Sequence, residues 1–214
     1  MMEFRGSYSV LVTPFTEAGS AVDEKALRSL VEWQVEQGAP GIILLGSTGE
    51  FLCVTDDERT QIVEVTVDQV KGRIPVILGT AAEWTDVAIR YSKEAEHLGA
   101  DGLMIVPPYY CEPKDEEIFT HFRRIGEAVS IPIMLYNNPF YSNVDLKPEM
   151  VARLALNDRM LPLISATDGY IARNKAALDL VGMPSSQPRA PRLPATAEDI
   201  EMLVEIGVLA NKAA

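Results

Sequence analysis

The sequence predicts an α/β fold of repeated strand–helix units, and three observations carry that prediction. Short apolar runs recur about every 30 residues, the length of one such unit. Amphipathic stretches with helical spacing lie between the runs. Residue types that start and stop helices stand at the boundaries.

The first run, at 8–12, reads as a buried parallel strand because it is short, aliphatic and bounded by turn residues. The runs at 41–45, 75–79, 102–106 and 132–136 repeat it, and helical stretches are expected at 24–37, 55–70, 85–98, 115–129 and 147–156. Asp23, Thr55, Thr85 and Asp145 stand where a side-chain oxygen can accept from the first unpaired N–H groups of a helix. Gly38, Gly72 and Gly99 stand where a left-handed residue ends one. A sixth possible strand at 161–165 and helical stretches at 171–181 and 197–206, joined by the proline-rich segment 184–194, follow. A closed barrel of eight units takes about 250 residues, more than the 214 here. On spacing alone an open, doubly wound sheet of five or six strands is the alternative.

Composition narrows the function classes. With 47% hydrophobic and 23% charged residues the chain can bury a core. Its 31 acidic against 19 basic residues would repel a phosphate backbone, so no nucleic-acid partner is expected. No apolar run approaches the roughly 20 residues of a membrane span, and the N-terminal residues, Met1 to Gly6, show no secretory pattern, so the expectation is a cytoplasmic protein without a membrane partner. Cys53 and Cys111 form no metal or redox motif and read as small packed side chains. His97 and His121 lie in helical stretches beside charged residues and read as surface groups, and no metal-ligand spacing is present.

In parallel α/β folds ligands gather at the carboxyl ends of strands. Four such ends are rich in polar groups: Thr13-Pro14-Phe15, Gly46-Ser47-Thr48-Gly49-Glu50, Pro107-Pro108-Tyr109-Tyr110 and Tyr136-Asn137-Asn138-Pro139. In the second, glycines flank two hydroxyl residues, so backbone N–H and side-chain O–H groups can converge on a carboxylate or phosphate; a plain turn after a strand is the equal alternative. No Gly-Lys-Ser/Thr follows it, and no GxGxxG follows any strand, which argues against nucleotide chemistry. Tyr136 closes an apolar strand, where its hydroxyl can serve as a proton relay or simply pack.

Taken in order, these four segments resemble the dihydrodipicolinate synthase/N-acetylneuraminate lyase family. The resemblance runs from about residue 6 to 160 and resumes at 170–207, through Asn174-Lys175-Ala176-Ala177 and Pro191-Arg192-Leu193-Pro194. It implies an incomplete TIM (β/α)8 barrel of about five or six units plus C-terminal helices: five units over 1–160, a junction at 161–169 and a helical segment at 170–214. It also implies class I aldolase chemistry on pyruvate and related 2-oxo acids, through a lysine Schiff base and without a cofactor or metal. Ser47 and Thr48, with Gly49 in the same turn, would hold the substrate carboxylate. Ser47 would also link to Tyr136, which would move protons. Tyr110 would reach into a neighbouring subunit and complete that relay, making the chain a homo-oligomer, dimer or tetramer.

Two departures from the family qualify this expectation. The Schiff-base lysine should follow Asp158, yet residues 160–167 read Met-Leu-Pro-Leu-Ile-Ser-Ala-Thr. None of Lys25, Lys71, Lys93, Lys114, Lys147, Lys175 and Lys212 stands in its place, so the chain as it stands is expected not to form the imine. Against eight units, about three strands, roughly 80 residues, are missing between Met160 and Tyr170; an internal deletion and a longer parent protein both fit. The second departure is Phe140-Tyr141-Ser142-Asn143, where dihydrodipicolinate synthases carry an arginine. This favours other 2-oxo acids, 2-keto-3-deoxy sugar acids among them, over lysine biosynthesis. A non-catalytic 2-oxo-acid-binding or regulatory protein, and a structural partner of intact relatives acting through Tyr109 and Tyr110, are the alternatives.

Overall fold

The computed structural model describes residues 4, 6–17, 19–155, 160–164, 196, 197 and 200. They fall into two compact units, one containing Gly6–Ile74 and the other Pro75–Thr167.

The first unit holds β1 (Ser9–Val10), α1 (Glu24–Glu36), β2 (Ile42–Leu44) and α2 (Asp56–Val70). β1 and β2 are parallel, with Ser9 opposite Ile42 and Val10 opposite Ile43. Asp23 caps α1, its carboxylate accepting from the Ala26 N–H at 2.9 Å. Thr55 opens α2 with a reciprocal box: the Thr55 hydroxyl accepts from the Glu58 N–H at 3.2 Å, and the Glu58 carboxylate accepts from the Thr55 N–H at 2.9 Å. Leu27, Leu30 and Val31 on α1 and Ile62, Val63 and Thr66 on α2 are buried. Above that layer Arg73 donates to both Glu32 oxygens, at 2.7 and 2.6 Å, and this bond pulls the Glu32 carboxyl down to about 2. Gly41 is required by a close approach, since a Cβ there would lie 2.0 Å from the Tyr8 ring.

The second unit holds β3 (Val76–Gly79), α3 (Thr85–His97), β4 (Gly102–Ile105), α4 (Asp115–Ala128), β5 (Ile133–Asn137), α5 (Pro139–Ser142), α6 (Pro148–Ala155) and β6 (Met160–Ile164). All its strand pairs are parallel, with Leu78 opposite Leu103, Met104 opposite Met134 and Tyr136 opposite Leu163. Neighbouring strands follow chain order from β3 to β6, without the reversal that marks the switch point of a doubly wound sheet. The fold is thus an incomplete (β/α)8 barrel, and β1, β2, β4 and β5 deliver their carboxyl ends into the candidate site loops. Leu103, Ile105, Phe122, Ile125 and Ile133 form fully buried parts of the core.

Strands and helices lie within a residue or two of the expected spans, and Gly38, Gly72 and Gly99 all adopt positive φ, at 74°, 69° and 98°. Three expectations are corrected. Thr85 is the first residue inside α3, not its cap; Trp84 is the cap residue, and the Thr85 hydroxyl is bonded instead to His121 at 2.9 Å. Asp145 caps nothing, because α6 begins at Pro148, and its carboxylate accepts from the Asn137 amide at 3.0 Å. His121 is not a surface group: it is buried on the face of α4 that also carries Ile118, Phe122 and Ile125. The expected junction beyond Ile164, the helix at 171–181 and the proline-rich segment lie outside the described residues, as does most of 197–206. Among the described residues no helix is long and apolar enough to cross a membrane.

Candidate functional site

In the first unit the candidate cradle is a tight turn at the end of β2. Leu45 enters it and Glu50 leaves it with left-handed backbone, each at φ 55°. Inside, the Glu50 N–H donates to the Ser47 carbonyl at 3.2 Å and the Phe51 N–H to the Gly46 carbonyl at 3.4 Å. From the end of β1, the buried Thr13 hydroxyl donates to the Gly49 carbonyl at 2.7 Å. Gly49 is closely packed: a Cβ would stand 3.0 Å from the Leu45 nitrogen and 3.2 Å from the Leu11 carbonyl oxygen, so neighbouring backbone would have to give by a few tenths of an ångström. None of these bonds uses the Ser47 or Thr48 hydroxyl. Ser47 is half-buried and Thr48 buried on this turn.

In the second unit two strand ends carry the expected residues. After β4, the Glu83 carboxylate accepts from three successive backbone N–H groups, those of Tyr109 (2.9 Å), Tyr110 (3.1 Å) and Cys111 (3.1 Å). Burial works to raise the Glu83 carboxyl, but these donors outweigh it and hold the group below its ordinary value. Tyr110 stands on the loop so fixed with its side chain 87% exposed. His121 lies in the same unit; burial lowers its imidazole to about 4, the charge of Glu83 pulling the other way and that of Arg124 adding to the fall. It is therefore neutral at neutral pH.

After β5, the half-buried Tyr136 accepts a hydrogen bond on its phenol oxygen from the Asn138 amide at 2.9 Å. Asn137 bonds in both directions, donating to Asp145 at 3.0 Å and accepting from the Leu146 N–H at 3.0 Å, which ties the following loop to the end of the strand.

Ser47, Thr48 and Gly49 thus share one turn, while Tyr110 and Tyr136 stand at the ends of the adjacent strands β4 and β5. Sequence reasoning missed Glu83 and Asn138. Glu83 follows a strand end, the position that signals ligands, but its partners lie more than 25 residues on. The five described lysines, Lys25, Lys71, Lys93, Lys114 and Lys147, are all exposed, and β6 contains none. Among the described residues no cluster of His, Cys, Asp or Glu could hold a metal ion.

The sequence profile of the dihydrodipicolinate synthetase family matches residues 3–174. The 4-hydroxy-tetrahydrodipicolinate synthase of Pelobacter propionicus is 42% identical over 179 residues, covering 84% of this chain and 61% of that protein. The protein of the same name from Nitrobacter hamburgensis is 44% identical over 152 residues, covering 71% and 51%. The chain therefore spans between about half and three-fifths of the length of the curated relatives it matches. Among solved structures, the dihydrodipicolinate synthase of Thermotoga maritima superposes with a TM-score of 0.86 at 26% identity, covering 95% of this chain and 97% of that one. A Pseudomonas aeruginosa structure described as a dihydrodipicolinate synthetase superposes at 0.89 with 23% identity, covering 95% and 98%, a likeness of fold alone. With the profile matching most of the chain, and with relatives above 40% identity, this protein belongs to the dihydrodipicolinate synthetase family.

Proposed function

We propose that the chain handles pyruvate-type 2-oxo acids within a lyase lineage of aldol cleavage, condensation or dehydration, and that these 214 residues bind such acids without forming the imine. The observation that carries the reading is the turn at the end of β2, where the Glu50 and Phe51 N–H groups and the Gly46, Ser47 and Gly49 carbonyls are bonded and none of these bonds uses the Ser47 or Thr48 hydroxyl. Both hydroxyls would donate to the substrate carboxylate, with Gly49 allowing the backbone to approach closely. Tyr136 would give and take the proton at the reacting carbon. Tyr110, already exposed, would reach a neighbouring copy in a cytoplasmic homo-oligomer. No cofactor enters this scheme.

Imine formation needs an unprotonated amine aimed at the ketone, a state proteins create by burying a lysine. An ammonium in water stays protonated at neutral pH, and Lys147 is driven further that way by its bond to Asp145. The Phe140-Tyr141-Ser142-Asn143 segment, without an arginine, favours sugar-derived 2-oxo acids over the product for which the curated relatives are named. The exposure of Tyr110 favours one second reading, a structural partner joined to intact relatives through that loop.

Pyruvate titration followed by borohydride reduction and intact mass measurement tests the proposal. Binding without a covalent mass increment is the expected result. A stoichiometric adduct overturns the non-covalent reading, and its labelled peptide locates the amine. Absence of both binding and adduct overturns the 2-oxo-acid reading and leaves the structural one.

A further inference from the structure

Asparagine is among the best helix-capping residues because its side-chain oxygen accepts from the first free N–H groups. Asn138 occupies the cap position of α5, directly before Pro139, yet its side chain makes no cap bond. It turns back along the chain and donates to the Tyr136 phenol oxygen at 2.9 Å. The Asn138 carbonyl accepts from the N–H groups of Tyr141 and Ser142, at 3.1 and 3.0 Å, and from the Ser142 hydroxyl at 2.9 Å. Asn138 is 1% exposed, and its own Oδ1 is buried with no hydrogen-bond partner. A buried amide that forgoes a cap and leaves an acceptor unpaired is destabilising. The hydrogen bond to the phenol is what this arrangement makes in return.

We propose that Asn138 is a positioning residue for Tyr136. A donor fixed on the phenol oxygen turns the hydroxyl proton away from the amide. It also stabilises the phenolate left when that proton departs. Asn138 therefore both aims the proton and makes it easier to release, without touching substrate itself. Neighbouring Asn137 cannot share this task, because both ends of its amide are bonded to the loop at Asp145 and Leu146. Of the ionisable groups tied to this corner, Asp145 accepts from Asn137 and from Lys147, so a change at Asn138 leaves both in place. The inference rests on the reading of Tyr136 as the proton-transfer residue.

The test uses the whole chain labelled with 3-fluorotyrosine, whose phenol titrates low enough for the protein to stay folded, followed by 19F NMR. Tyr136→Phe identifies the Tyr136 resonance. Asn138→Leu removes the donor with little change of shape and is expected to raise the midpoint of that resonance by about one pH unit, because a bond favouring the charged form is lost; the other tyrosines stay where they were. Asn138→Ala serves in the same way if the leucine variant does not fold. A midpoint that is unchanged overturns the proposal, and one that falls shows that the amide accepts from the phenol, which overturns it too. Pyruvate is then added to the unsubstituted protein. A response of the Tyr136 resonance supports the positioning role. Silence there, with the midpoint shift intact, leaves the hydrogen bond standing but overturns its role in proton transfer together with the 2-oxo-acid reading.

Discussion

The turn at 45–50 is held mainly by the main chain, through two left-handed residues, two internal N–H bonds and a glycine pressed against neighbouring backbone, with the Thr13 hydroxyl adding a side-chain tie. The loop that carries Tyr110 is held by a side chain, with one carboxylate collecting three successive N–H groups. Both follow a parallel strand of the same fold, so the strand does not dictate the device. The difference lies in what each leaves available. Backbone construction keeps the Ser47 and Thr48 hydroxyls out of the scaffold. Carboxylate construction orders a segment that presents Tyr110 to solvent, and makes that order depend on the charge of a single group.

The largest expected effect is on the acid side of the second unit. The His121 imidazole has an ordinary value near 6.5 and is lowered to about 4 in the folded chain. Between those values the unfolded chain binds the proton and the folded chain does not. His121 therefore supports the fold fully above about 6.5, and that support is lost as pH falls toward about 4, on the order of 3 kcal/mol across the window. Urea midpoints at pH 7 and pH 4.5 measure it; if His121→Leu shows the same loss, the assignment to His121 is wrong.

Next in size is Gly49→Ala, which presses a methyl group onto backbone that must give by a few tenths of an ångström and is expected to destabilise by about 1–3 kcal/mol. Amide chemical shifts should move at 45–51 and leave the Tyr109 to Cys111 loop unchanged. A neutral substitution would break the account of the backbone-built turn.

The smallest effect is expected from Glu83→Gln. One oxygen remains to accept and the charge is gone, at a cost of about 1 kcal/mol. Hydrogen exchange should quicken at Tyr109, Tyr110 and Cys111 and not at 46–51. The unsubstituted protein should show the same loss of protection in acid, measured against the slower intrinsic exchange there: the Glu83 carboxyl is depressed, so its hold is complete above the ordinary carboxylate range and is lost as pH falls through the folded value.

Local chemistry made most elements legible in advance. Asp23 and Thr55 cap the helices they precede, and the three glycines at helix ends turn left-handed, because those functions need only neighbours in sequence. Ser47, Thr48 and Gly49 were legible as a turn at a strand end for the same reason. His121 was misjudged from the charges that follow it, although 118, 121, 122 and 125 share one helical face and are all buried. Thr85 and Asp145 have the residue types of caps but find stronger partners in His121 and Asn137, which tertiary structure alone supplies. Glu83 was invisible because nothing near it in the chain reveals that three N–H groups converge there.

Leu45 gives the cradle a thermodynamic character of its own. A leucine with left-handed backbone carries roughly 1–2 kcal/mol of torsional strain, and here it is kept in place by a side chain only 1% exposed. The turn is thus sprung by the core beneath it, and its ordering entropy is lost during folding, before any ligand arrives. A small carboxylate reaching such a turn finds no loop to freeze, so its association should be diffusional and its binding heat should come from the hydrogen bonds alone.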